Sequence, residues 1–187
     1  MTPERPLQPT LWRTCRAIAN RARLRIFRLL VQQPGQTVSA VAAQLQQPLS
    51  AASEYLRALE ARGLLTARRV GRRVEYRPTA APSGSPAHGL VVAMQSALQS
   101  ESQTTETLFR LATAFTHPRR IEIFRALKTQ PQTLGEIQTA TRISARALKR
   151  HLRKLEARGF VKCELGIYSV ARCSDVFGRE LARLAAE

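Results

Sequence analysis

Acidic residues are scarce in this chain. Thirteen Asp and Glu stand against thirty Lys and Arg, a formal net charge of +17 at neutral pH. That imbalance excludes a surface built for cationic partners and points to a polyanion, because each Lys or Arg held near a phosphate releases condensed counterions. An arginine-rich composition is the other source of such a charge, since only four of the thirty are lysines. Aromatic residues are also few, at 5% of 187 positions, so Leu, Ile, Val and Ala must fill any core. Cys15, Cys163 and Cys173 are too few and too scattered for a disulfide framework, which fits reduced thiols in a cytoplasmic protein. No apolar run approaches the ~18 residues needed to cross a membrane. The first twenty residues lack a basic segment followed by an apolar run, so no secretory signal is expected there.

Catalytic patterns are missing as well. There is no Gly-rich phosphate loop, paired carboxylate or nucleophile elbow, and no enzyme is expected. His88, His117 and His151 form no H-x-x-x-H or H-x-x-E pair, so neither metal nor other cofactor is expected.

What the chain does contain is a repeat. "NRARLRIFRLLVQQP" (Asn20–Pro34) matches "HPRRIEIFRALKTQP" (His117–Pro131) at a shift of 97 residues. From Thr37 the shift is 96, and "EYLRALEARGLL" faces "RHLRKLEARGFV". One residue lost in a Pro-containing loop is what a duplicated structural unit tolerates. A long period present only twice indicates two copies of a domain, since solenoids need more and shorter units.

Each copy reads alike. A first helix places Leu24, Phe27 and Leu30, or Ile121, Phe124 and Leu127, on one face, and Pro34 or Pro131 breaks it. Thr37 and Thr133 stand as N-caps of a short second helix, and Thr133-Leu-Gly-Glu136 has capping-box spacing. A third helix carries Leu56 and Leu59, or Leu148, Leu152 and Leu155, inward and stops at Gly63 or Gly159. Alternation then replaces the helical period. "LLTARRVGRRVEYRP" (Leu64–Pro78) reads as a β-hairpin with a basic tip, and "FVKCELGIYSV" (Phe160–Val170) as the same hairpin cut four residues shorter. The expected fold is mainly α with small β-hairpin wings: two winged helix-turn-helix units, at 1–79 and 107–187. Residues 80–106 supply a Pro/Gly/Ser/Ala linker and the amphipathic helix Leu90–Leu98.

Both halves resemble the ArsR family of bacterial repressors. The carriers are "IANRARLRIFRLL" (Ile18–Leu30) and "TAFTHPRRIEIFRAL" (Thr113–Leu127) for the first helix. "SEYLRALEARGLL" (Ser53–Leu65) and "KRHLRKLEARGFV" (Lys149–Val161) match the recognition helix. Each motif alone is mostly helix-core spacing; order, spacing and duplication carry the likeness. The resemblance implies that first and last helices pack as a dimer interface. This chain supplies both sets, around Leu11–Ala19, Leu90–Leu98, Thr107–Phe115 and Asp175–Ala186, and is expected to form a single-chain pseudo-dimer. Two independent beads, or a further homodimer on the same helices, are the alternatives.

The resemblance also implies a recognition helix in the major groove of double-stranded DNA, its N-terminal half meeting base edges. Taking Leu56 and Leu152 as inward anchors, copy one turns out Leu49, Ser50, Ser53, Glu54 and Arg57. Copy two turns out Ala145, Arg146, Lys149, Arg150 and Arg153. Glu54 would repel phosphate unless it meets a cytosine amine or pairs with Arg57. The wings differ oppositely: Arg68, Arg69, Arg72 and Arg73 surround the first tip, and the second keeps only Lys162. The helix preceding each recognition helix, Val38–Leu45 or Leu134–Thr141, contains none of the Cys, His or Asp that metal-sensing members use. Cys163 and Cys173 flank the second hairpin, where a thiol switch is the lesser reading beside small hydrophobes. The expected function is a sequence-specific transcriptional regulator, a repressor, working at the bacterial nucleoid. A non-specific DNA-packaging protein and a winged-helix protein adaptor are the competing readings.

Overall fold

The computed structural model describes residues 10–79, 86–99 and 104–187. Copy one runs α1 (Leu11–Ile18), α2 (Arg21–Gln32), β1 (Gln36–Thr37), α3 (Val38–Gln44), α4 (Leu49–Glu60), β2 (Thr66–Val70) and β3 (Arg73–Arg77). After α5 (Pro86–Gln99), copy two repeats that order. It runs α6 (Thr105–Ala112) with a 3-10 turn at Thr113–Phe115, α7 (Pro118–Thr129), β4 (Gln132–Thr133) and α8 (Leu134–Thr141). Then come α9 (Ala145–Glu156), β5 (Val161–Glu164), β6 (Ile167–Val170) and the closing α10 (Val176–Ala186).

Short-range chemistry sets the element ends. Asn20 accepts from the Arg23 amide at 3.0 Å to start α2, and Pro118 fills the first turn of α7 behind His117. Thr37 and Thr133 cap α3 and α8, and the Thr133–Glu136 capping box closes in both directions. Its hydrogen bonds hold the Glu136 carboxyl below the ordinary carboxylate range. Gly63 and Gly159 take φ of +67° and +76°, ending the recognition helices where a side chain would be strained.

Each wing is three-stranded rather than two-stranded. β1 joins β3 through Gln36↔Tyr76 and Thr37↔Glu75, and β4 joins β6 through Gln132↔Tyr168 and Thr133↔Ile167. The capping threonines thus end a two-residue strand and begin a helix, a length too short for any periodicity to announce. The turns also differ. Gly71 leads the first at φ +61°, whereas Leu165 and Gly166 take +50° and +80° in the second.

The copies share one apolar core. In copy two Phe115 meets Phe124 and Phe160 edge-on at 5.3 and 4.8 Å. The repeat puts Ile18, Phe27 and Leu64 in their places, all fully buried. Like elements pack on like across the copies: α1 against α6 and its 3-10 turn, and α5 against α10. Leu90, Val91 and Met94 of α5 and Phe177 and Leu181 of α10 are all fully buried, so the amphipathic faces cover one another. Residues 80–85 of the expected linker and 100–103 of the polar stretch before α6 lie outside the described residues.

Candidate nucleic-acid interface

The N-terminal half of each recognition helix has an exposed outer face, and in copy one that face lies beside the wing. Arg146, Lys149, Arg150 and Arg153 are all exposed on α9, and among the described residues none of them meets an acidic partner. Leu148, Leu152 and Leu155 are buried beneath them, which fixes the outward face. On α4, Ser50, Glu54 and Arg57 are exposed and Ser53 is half-buried, over buried Ala52, Leu56 and Leu59. No ion pair joins Glu54 to Arg57 among the described residues, so its charge stands unneutralised on copy one's outer face.

Leu49, the first residue of α4, is 59% exposed. It lines a concavity of about 1040 Å³ with Val38, Ser50, Ser53, Arg72 and Val74, between the starts of α3 and α4 and the wing. Arg68, Arg69, Arg72 and Arg73 are exposed along that wing. The second wing is electrically quieter, because Lys162 bonds Glu164 of the same strand at 2.8 Å. Its tip is apolar: Leu165 is wholly exposed in a left-handed backbone conformation. Residue pattern alone did not single out Leu165; a Leu-Gly pair in a two-residue turn was the available signal.

On the inward face of α9, His151 is buried and its ring lies 4.8 Å from that of His117, the N-cap of α7. Burial, then His117 and the cations of Arg120 and Arg150, push the His151 imidazole down to about 4. Burial and the same cations also lower His117, whose Nδ1 accepts from the Arg119 amide. His151 therefore packs neutral on the inward side of the recognition helix. The repeat places Tyr55 at that position in copy one.

The three thiols are free and differently placed. Cys15 is fully buried in α1, and burial pushes its thiol strongly up. Cys163 is exposed on β5 opposite Tyr168, while Cys173 is half-buried against Gly178 at the start of α10. Among the described residues no three His, Cys, Asp or Glu converge as metal ligands would. No helix among them is long and apolar enough to cross a membrane.

None of the curated proteins compared matches the chain in sequence. Among solved structures it is similar to human N-acetylserotonin methyltransferase in complex with SAM, at 14% identity and a TM-score of 0.33. The match covers 70% of this chain and 52% of that one, so the chain spans about half that protein's length. So loose a likeness carries no argument. The family comparison is decisive by contrast, because a helix-turn-helix domain matches twice, over residues 18–68 and 115–164, each from the end of its first helix into its wing. The chain belongs to this helix-turn-helix domain family, whose role is non-catalytic, regulatory and directed at DNA.

Proposed function

We propose that the chain is a sequence-specific transcriptional regulator of the ArsR type, a repressor that occludes a promoter on double-stranded DNA. The observation that carries this reading is the set of four exposed cations, Arg146, Lys149, Arg150 and Arg153, unpaired at the base-reading positions of α9. Arginine or lysine there matches guanine O6 and N7, each good pairing worth about 1–3 kcal/mol of discrimination. Copy one works differently. Leu49 offers an apolar contact for a thymine methyl, Ser50 and Ser53 offer hydroxyls, and the wing arginines hold phosphate or a narrow minor groove.

The two readers are residues 1–79 and 107–187, joined through 80–106 and held as a pseudo-dimer by α1 on α6 and α5 on α10. Their half-sites are unequal and lie about one helical turn, ~10 bp, apart. Binding to chromosomal DNA puts the protein at the nucleoid in the cytoplasm.

Fluorescence anisotropy with the DNA upstream of the chain's own gene, against a large excess of unrelated duplex, tests the proposal. Binding that survives competition is the expected result. Binding erased equally by any duplex, with a steep salt slope, would instead make the +17 charge a packaging device. No binding at all would leave a protein adaptor.

A further inference from the structure

We infer that copy one holds a small multiply charged anion, with phosphoryl oxygens as the recognised group, in a cleft between α1 and the far end of α4. The cleft has a volume of about 460 Å³ and is lined by Trp12, Arg13, Arg16, Arg23, Ala58 and Arg62. Arg13 and Arg16 set their guanidinium carbons 5.1 and 5.7 Å from the Trp12 ring centre. Among the described residues none of the four arginines meets a carboxylate. Arg23 is held inward by a bond from Nη1 to the Ala17 carbonyl at 3.4 Å, and its Nε is buried without a hydrogen-bond partner. A buried donor left unmade is costly unless something fills the site.

Copy two leaves the equivalent Nε, that of Arg120, buried without a partner as well, but it compensates the other charges of the same cleft internally. At a shift of 97 residues, Phe109 stands where Trp12 does, and Arg21 of copy one lies 4.0 Å over its ring. Glu106 takes both Arg21 Nε and Nη2, at 2.8 and 2.7 Å, and that bond holds its carboxyl below the ordinary range. Arg158 adds to the same lowering and donates through Nε to Thr113 Oγ1 at 2.8 Å. Copy two's cleft thus holds an anion of its own, Glu106, and is covered by Arg21 of copy one.

The repeat removes each of these parts from copy one. Glu106 corresponds to Pro9, Arg21 to Pro118, and the Thr113–Arg158 bond to Arg16 and Arg62. A hydrogen-bonded pair in one copy is a pair of like charges in the other. The C-termini of α1 and α4 favour a nearby cation, but each contributes only roughly half an elementary charge. Among the described residues four guanidinium groups remain without a carboxylate partner, each with the fork of donors that takes phosphoryl oxygens bidentately. The site sits at the opposite end of α4 from Leu49 and Ser50, so it is separate from the base-reading surface.

Trp12 is the only tryptophan in the chain, which makes its fluorescence a local reporter. The full chain would be titrated with pyrophosphate at a constant ionic strength of about 0.15 M. A saturable change with a midpoint of roughly 1 mM or tighter is expected. Arg16→Gln and Arg62→Gln should each weaken it about tenfold, as loss of one charged hydrogen bond does. Arg110→Gln, which removes the same charge at copy two's counterpart of Arg13, should not. Pyrophosphate should also raise the Tm of the wild type more than that of Arg16→Gln, a comparison that checks folding directly. A non-saturating response, equal weakening by Arg110→Gln, or a Trp12 response to duplex DNA but not pyrophosphate would overturn the inference.

Discussion

The helices α4 and α9 have equal lengths, matching buried leucines and the same glycine stop, yet their exposed faces share almost no chemistry. Ser50 faces Arg146 in the repeat, Ser53 faces Lys149, and Glu54 faces Arg150. Only Arg57 and Arg153 agree. The wings reverse the bias, with four arginines around the tip of the first and one self-paired lysine on the second. Inward positions must satisfy a shared core, and a lost methylene there is felt at once. Outward positions answer only to what they touch. In a symmetric homodimer both faces come from one sequence and must stay identical; joining the copies in one chain frees them to differ.

The largest effect should come from breaking the shared core. Leu181→Ala, at a fully buried position of α10, should destabilise by about 2–5 kcal/mol. Because α10 packs on α5, Trp12 fluorescence, which reports copy one, should shift to the same midpoint as far-UV circular dichroism. A Trp12 transition left in place would show two independent beads.

Next comes base recognition. Arg146→Ala or Lys149→Ala should cost about 1–3 kcal/mol and relax preference at one half-site only, by competitive binding to single-base variants. Ser50→Ala should cost less. Replacing thymine by deoxyuracil, which lacks the methyl, should weaken the other half-site in the wild type but not in Leu49→Ala.

The wings should separate by salt dependence. The double substitution Arg72→Ala, Arg73→Ala should weaken all duplexes alike and flatten the slope of log K against log salt by up to ~0.9 per lost phosphate contact. Lys162→Ala should change that slope little, because Glu164 already holds its charge.

The smallest difference is one of pH. His151 is held down to about 4 against an ordinary value near 6.5, so the unfolded chain takes up a proton first as the pH falls. Stability complete above pH 6.5 should therefore drain away between about 6.5 and 4, with His117 contributing in the same direction. His151→Tyr, which copies Tyr55 of copy one, should flatten thermal melts across that window.

The duplication made most of the fold readable. A position that stays apolar at a shift of 96 or 97 is held by packing, and Leu24, Phe27, Leu56 and Leu59 are all buried as the helical period implies. Caps such as Thr133 and stops such as Gly159 act over three or four residues and were equally plain. The third strand of each wing was not, because two residues carry no alternation to detect. Nor was the ion pair of Arg21 with Glu106, eighty-five residues apart, since nothing local connects them. The exposed faces of α4 and α9 were legible as positions, because Leu56 and Leu152 fix the helix phase. The Trp12 cleft became visible only when the two copies were compared in space.

The most direct test is selection of preferred duplexes from random-sequence DNA, followed by footprinting with one chain per duplex. Two dissimilar half-sites about 10 bp apart, protected by a single chain, are the expected result. A perfect palindrome protected by one chain, or no enriched sequence, would contradict the division of labour between α4 and α9.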